Sequence, residues 1–536
     1  MPTPRFIRPL GLIDITAVLC FFVLILGQMQ NFADDPGVGW HLKTGEYIAR
    51  HGEIPASDPF LAAAISRPWV CDQWLSDLTL FSLYHLGSWP LLYVSVLLLY
   101  SATYFLVLYP CTRRLSGTCL GSVLGVFLAF KLGLVHFILR PVVISFLFFI
   151  LTYTLSFRIY RALSPAMFRS REGLRRALNL RESGLSERGV LIFLPLLFLV
   201  WANMHPSFGM GLIVLAILCA ALLFDSLLAR RAAPSSIVEL LRSNRVPLAL
   251  LLLCSIVTLG NPSTWGLHRS IYALMNSELF MSMHMEWLSP ALGDPATEFF
   301  IIVAGGIVLL LLLGGYPRWG TFEPLLLLTF FILNLQATRF FPFFGIAAAI
   351  PLGDLLMQLK HSRFLMRFPW FPRVVLAFER LEQRETRSYG GGLLVPLGLI
   401  FLLLTLVMGR LPLFNAEYGP SSSKYPYAAM DKTRELAALS KQIILAAPAE
   451  WGGFIALYGA QNIKAIIDDR NVLLGEEFYR TYFAQVNSSA DWFSYFKNKA
   501  VTHMLYPPNS PLAKSAREKN LALLFEDQIG ALYALQ

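Results

Sequence analysis

The sequence predicts a polytopic α-helical membrane protein, and three observations carry that prediction. Hydrophobic residues make up 56% of the 536-residue chain and charged residues only 15%, where a soluble domain carries about a quarter charged. Apolar runs of about 20 residues, enough to cross about 30 Å of hydrocarbon, recur along roughly the first 410 positions. These runs are unbroken Leu, Ile and Phe rather than alternating, which excludes a barrel.

Eleven spans are expected, at about 10–30, 90–110, 118–137, 141–160, 189–204, 208–228, 246–260, 298–314, 321–336, 340–358 and 391–409. Basic residues orient them. MPTPRFIR opens the chain, and Arg113 and Arg114 follow the second span. Arg158, Arg161, Arg169, Arg171, Arg175, Arg176, Arg181 and Arg188 crowd the end of the fourth span and the loop after it. Arg230, Arg231, Arg242 and Arg245 follow the sixth, and Arg318 the eighth. Lys360, Arg363, Arg367, Arg373, Arg380, Arg384 and Arg387 follow the tenth. With eleven spans all of these fall on one side, which the positive-inside bias makes cytoplasmic. The N-terminus is then cytoplasmic too. The start MPTPRFIRPLGLIDITAVLC lacks a clear small-residue cleavage site and reads as a retained helix.

The same clustering explains the net charge of +10 as topology, not nucleic-acid binding. Only Cys71 of six cysteines lies in a long loop, so no disulfide framework is expected. There is no phosphate loop of the G-x-x-x-x-G-K-[ST] kind, no G-x-S-x-G, no H-E-x-x-H and no paired C-x-x-C. Nucleotide-driven pumping is therefore not expected.

The domain division is 1–409, membrane, with a first external loop at 31–89, and 410–536, a small external α/β domain. In the loop, GWHLKTGEYIARHG predicts a short amphipathic helix with Leu42, Tyr47 and Ile48 on one side and Gly52 as its C-cap. QWLSDLTLFSLYHLGSW predicts a second, with Trp74, Leu78 and Phe81 together. Helices of this kind lie along membrane surfaces, and Trp40 and Trp69 suit anchoring there. In the tail, EWGGFIALYG, KAIIDDR and LALLFED predict short strands.

The motifs DPGVGWHLKTGE, GEIPASDPF and PWVCDQWLSD, followed by ILRPVVISF, WANMHPSFGMG, GNPSTWGLHRSIY, EWLSP and ATRFFPFFGIAAA, resemble a bacterial group of integral-membrane proteins similar to GT-C glycosyltransferases. AEWGGFIALYG and KAIIDDRN extend the resemblance into the tail. It implies a GT-C-like enzyme of the bacterial inner membrane that takes a sugar from a polyprenyl-phosphate carrier and passes it to an envelope acceptor outside the cytoplasm. It also implies a catalytic acid in the first external loop, matched by Asp35. Many relatives read D-x-D. This chain has Gly37 at the second place, with Asp34 as the neighbouring acid at a different spacing. A divalent cation, Mg or Mn, would sit on Asp35.

The residues themselves suit such chemistry. Glycosyl transfer from a lipid phosphate needs a base for the acceptor hydroxyl and positive charge for the departing phosphate. Arg140, His205 and Arg339 fall at the outer ends of spans, with His136 and Asn261 at the same level. Arg suits phosphate through its planar fork. His41 is a phosphate donor or a structural hydrogen-bond partner, and Arg140 and Arg339 could equally snorkel to headgroups. Glu286 reads as a second acid or a loop salt bridge. Lys131 reads as an intramembrane functional group or an ion-pair partner, and Asp468, Asp469 and Arg470 as a turn with an internal salt bridge. Two other functions stay open: a non-catalytic scaffold of envelope assembly that retains the architecture, and a lipid or solute transporter.

Overall fold

The computed structural model describes residues 9–62, 67–164, 187–230, 244–314, 319–439, 442–487 and 491–535. Arg169, Arg171, Arg175, Arg176, Arg181, Arg231, Arg242, Arg318 and the opening MPTPRFIR lie outside them.

Helix α1 (Leu12–Val23) leads into the first loop, where α2 (Val38–His51) ends on Gly52 at φ 70°. Then α3 (Trp74–Ala102) kinks at Gly87 and Ser88 and runs on through Ser116. Next come α4 (Cys119–Gly133), α5 (Val142–Leu163), α6 (Glu187–Met204), α7 (Phe208–Arg230), α8 (Arg245–Val257), α9 (Trp265–Met275), α10 (Pro295–Gly314), α11 (Phe322–Gln336), α12 (Phe341–Leu359), α13 (Phe371–Glu385) and α14 (Leu394–Met408).

The expectation of eleven spans is corrected. Six helices among the described residues are long and apolar enough to cross a membrane, or seven if Arg245–Gly260 and Trp265–Met275, bent by 99°, form one span. Leu12–Gln28, Arg188–Met204, Phe322–Gln336 and Leu394–Met408 are apolar but shorter. They fall below the roughly 20 residues that about 30 Å of hydrocarbon requires.

Small residues set the packing at the centre. A Cβ on Gly125 of α4 would stand 2.6 Å from the Ala349 carbonyl of α12, and one on Gly345 would stand 2.9 Å from Ala129 Cα. The two backbones touch as only small residues allow. Every residue from Phe341 to Leu355 of α12 is buried, between α4 on one side and α10 and α11 on others.

The two ends of the bundle differ. At one end the amphipathic α13 caps its neighbours: Glu382 accepts the Leu120 N–H at 3.0 Å and Glu385 the Leu12 N–H at 2.8 Å, at the starts of α4 and α1. At the far end of α4, past His136, the first loop, the turns before α5, α7 and α12, and the loop after α9 gather under the C-terminal domain.

That domain has a five-stranded sheet in the order β2-β1-β3-β5-β4, and its core also takes in Leu61, Ala62 and Phe280 from the membrane part. The strands are β1 (Ile443–Ala446), β2 (Ile463–Ala465), β3 (His503–Tyr506), β4 (Leu523–Glu526) and β5 (Ala531–Ala534). Strands β2 and β3 flank β1 in parallel, and β5 joins β3 and β4 antiparallel. KAIIDDR and LALLFED contain strands as expected. EWGGFIALYG does not; it forms the helix Gly452–Tyr458.

The reason is a close approach. A Cβ on Gly453 would stand 2.3 Å from the Pro36 carbonyl, and one on Gly39 would stand 1.9 Å from the Gly453 carbonyl. The helix thus docks on α2, and Leu61 bridges to Ala465 at the sheet edge. Helix α2 therefore packs between α3 and the C-terminal domain, with Val38 to Leu42 buried. Trp40 is buried with it.

Candidate functional site

A cavity of about 340 Å³ lies where the bundle meets the C-terminal domain. Its wall includes Gly37, His41, Arg140, His205, Glu286 and Arg339 from the membrane part, and Asp469, Arg470 and Asn471 from the tail.

Asp35 sits one layer back, its side chain 7% exposed. Its Oδ1 accepts the Gly37 N–H at 2.9 Å, the local turn that starts α2. Its Oδ2 lies 2.5 Å from Arg140 Nε. Pro141 follows Arg140 and opens α5, so the chain turns sharply and delivers the guanidinium to the cavity. Arg140 Nη1 reaches Glu286 Oε1 at 3.3 Å, and Arg339 Nη1 lies 3.7 Å from the same oxygen. His136 Nδ1 lies 3.5 Å from Glu286 Oε2. Arg339 also stacks over Trp287, 3.8 Å from the ring centre.

Burial works against a charged Glu286, but Arg339 and Arg140 together pull its pKa down to about 2. Burial opposes the charge on Arg140 as well, and Asp35 and Glu286 more than restore it.

His205 Nδ1 accepts the Ser207 N–H at 3.1 Å, which assigns its proton to Nε2. Burial, then the nearby Arg339, hold it neutral. His41 lines the cavity, and its Nδ1 lies 2.5 Å from Asp77 Oδ1. Burial lowers its pKa, so the ring serves as a hydrogen-bond partner. Asp34 turns elsewhere. It accepts the Ser421 N–H at 2.7 Å and pairs with Lys424 at 2.9 Å, tying the first loop to the start of the tail. Lys131 is exposed on α4, away from the cavity, and Asn261 binds the Ala202 carbonyl at 3.1 Å.

No family model matches the chain, and no curated protein matches it in sequence. Solved structures match in fold. The Archaeoglobus fulgidus oligosaccharyltransferase in its apo form gives a TM-score of 0.52 at 11% identity, over 92% of this chain and 69% of that one. The same organism's AglB, in complex with an inhibitory peptide and a dolichol-phosphate, gives 0.52 at 12% identity over the same shares. ArnT from Cupriavidus metallidurans, bound to undecaprenyl phosphate, gives 0.47 at 13% identity over 98% of this chain and 97% of that one. The fold is GT-C-like.

Within this GT-C-like fold, a divalent cation at Asp35 would share the carboxylate with partners it already has. Both oxygens are engaged, by Gly37 and Arg140. Gly37 brings no carboxylate, and a Cβ there would stand 2.9 Å from Asp35 Oδ1. Among the described residues no three His, Cys, Asp or Glu side chains gather as a ligand set.

What the sequence did not reveal is that Asp469, Arg470 and Asn471 of the tail line this cavity. Asp468 and Arg470 do form the expected ion pair, at 2.5 Å. Arg470 also reaches Asp58 of the first loop at 2.7 Å and stacks over Trp69, 4.6 Å from the ring centre. Asp469 accepts the Trp40 indole N–H at 2.9 Å. Nothing local in KAIIDDRN shows a contact some 430 residues back along the chain.

Proposed function

We propose that the protein is a membrane glycosyltransferase that takes a sugar from a polyprenyl-phosphate carrier and transfers it to an envelope acceptor. The carrying observation is a single cavity that holds two guanidinium groups, Arg140 and Arg339, beside the carboxylate of Asp35. Paired guanidinium groups suit a phosphate leaving group. The fold shared with an oligosaccharyltransferase that binds a dolichol-phosphate supports a lipid-phosphate partner.

In this reading Arg140 and Arg339 bind the carrier phosphate, His205 donates from Nε2, and Asp35 holds Arg140 in place. No step runs through a metal. The motifs of the first loop resemble those of the bacterial GT-C-like group, which supports this reading. The chain then sits in an inner membrane, with its N-terminus cytoplasmic and the cavity and tail outside.

The test gives full-length protein in nanodiscs a panel of undecaprenyl-phosphate-linked sugars with envelope glycans and lipids as acceptors. Transfer is expected, with Asp35→Ala reducing it by about 100-fold because Arg140 is no longer held against the leaving phosphate. Absence of both transfer and undecaprenyl phosphate binding would end this reading.

One observation favours a second reading, a scaffold that binds the carrier without chemistry. Arg140, Arg339 and Arg470 are each already paired with a carboxylate. Carrier binding without transfer to any acceptor favours it.

A further inference from the structure

Asp469, Arg470 and Asn471 are consecutive, and all three line the cavity. Arg470 is 6% exposed and Asn471 5%. Arg470 Nη1 and Asn471 Oδ1 are buried with no hydrogen-bond partner. Buried polar atoms are nearly always paired, so each such case calls for a ligand or another cause.

Both side chains are locked in orientation. Arg470 Nε binds Asp468 at 2.7 Å and Nη2 binds Asp58 at 2.7 Å. Asn471 Nδ2 meets His284 Nε2 at 2.5 Å. One donor and one acceptor thus wait in adjacent residues. A hydroxyl both donates and accepts, and a carbohydrate offers several in a row.

Asp469 completes the set. The Trp40 N–H holds its Oδ1 and orients the carboxylate. Burial, with Asp468 and Asp35 close by and Arg140 opposing them, pushes its pKa up to about 7. A carboxyl there exchanges a proton near neutrality, whereas both oxygens of Asp35 are engaged.

We propose that Asp469, Arg470 and Asn471 form an acceptor subsite for a carbohydrate hydroxyl, with Asp469 as the proton acceptor. The proposal rests on the sugar-transfer reading above. The acceptor O–H proton passes to the Asp469 carboxylate as the acceptor oxygen bonds to the anomeric carbon. The bond between that carbon and the carrier's phosphate oxygen breaks. Its electron pair leaves on the phosphate, against Arg140 and Arg339.

The experiment uses the full chain in lipid nanodiscs. Saturation-transfer NMR reads contact with a panel of free hexoses and methyl glycosides, and undecaprenyl phosphate binding is read in parallel. Dicyclohexylcarbodiimide, which captures protonated carboxyls in apolar sites, reads Asp469 by peptide mapping. Asp469→Asn keeps the oxygen that Trp40 needs, so the fold is retained.

Wild type should contact at least one sugar. Asp469→Asn and Asn471→Ala should each weaken that contact about tenfold and leave undecaprenyl phosphate affinity unchanged. Asp469 should take the reagent below about pH 7. No sugar contact in wild type, contact unchanged in both variants, or no adduct on Asp469 overturns the proposal. So does loss of undecaprenyl phosphate binding in Asp469→Asn, which would move the residue to the donor side. Wild type that binds sugar in an Asp469-dependent way but no undecaprenyl phosphate overturns the carrier reading and leaves the sugar subsite standing.

Discussion

Arg140 Nε lies 2.5 Å from Asp35 Oδ2, and this pair joins the first external loop to the turn that opens α5. The carboxylate is nearly buried while the guanidinium reaches the cavity, so the acid acts on a ligand through the base. Replacing Arg140 by Gln leaves Asp35 buried without a cation. A loss of about 3 kcal/mol is expected, the low end for a broken buried pair because Arg140 is partly exposed. Adding Asp35→Asn should recover much of that loss. Thermal unfolding of both variants in detergent checks the sign, and undecaprenyl phosphate binding should fail in both.

The neighbouring acids should separate cleanly. Asp34 holds Ser421 and Lys424, so Asp34→Asn should loosen the tail. Limited proteolysis near residue 420 should quicken while carrier binding persists. Asp35→Asn should do the reverse, keeping the tail docked and weakening carrier binding by about tenfold or more. Equal behaviour of the two variants would contradict the geometry.

Stability should depend on pH in two opposite ways. Glu286 has its pKa lowered to about 2, so its contribution is present above the ordinary carboxylate range and lost as pH falls from about 4.5 towards 2. Glu286→Gln should flatten that acid limb. Asp469 has its pKa raised to about 7, so the folded state holds its proton more tightly than the unfolded chain. Stability should fall as pH rises from about 4 to 7, and Asp469→Asn should remove that fall. Unfolding midpoints across pH 2–9 measure both.

The docking of the tail has a steric test. Gly39 and Gly453 meet backbone to backbone. Ala at position 39 should cost about 3 kcal/mol, the upper part of the usual overpacking range, and should open the cavity. Ala at position 27, where a Cβ meets nothing within 4 Å, is the control. Hydrogen exchange across 452–458 reads the difference.

Trp287 lies under Arg339. Trp287→Ala should remove about 1 kcal/mol of cation–π support and release the guanidinium, weakening undecaprenyl phosphate binding about tenfold, with Phe intermediate. Titration of the three proteins checks the order.

Part of this was legible in the chain. Arg140, His205 and Arg339 follow apolar runs on the side away from the Arg clusters, which placed them at one level of the bundle. Gly52 marked the end of α2 because only a left-handed residue closes the helix there. Other readings failed where packing overrode pattern. EWGGFIALYG reads as a strand by its aromatic residues and Ile455, but Gly453 serves a close contact with α2 and Gly452 one with the Ile467 carbonyl. Eleven apolar runs did not become eleven long helices, because apolar composition does not fix helix length.

Sequence alone determined that the chain enters a membrane, which segments are apolar, and where polar side chains interrupt them. Those are local properties, since hydropathy and turn chemistry act over a few residues. Only the tertiary structure decided that Asp35 answers to Arg140, that Asp34 turns to the tail, and that Asp469 joins a cavity beside Trp40. Such pairings bridge hundreds of residues, and they form only when helix packing and the Gly39–Gly453 contact bring the backbones together.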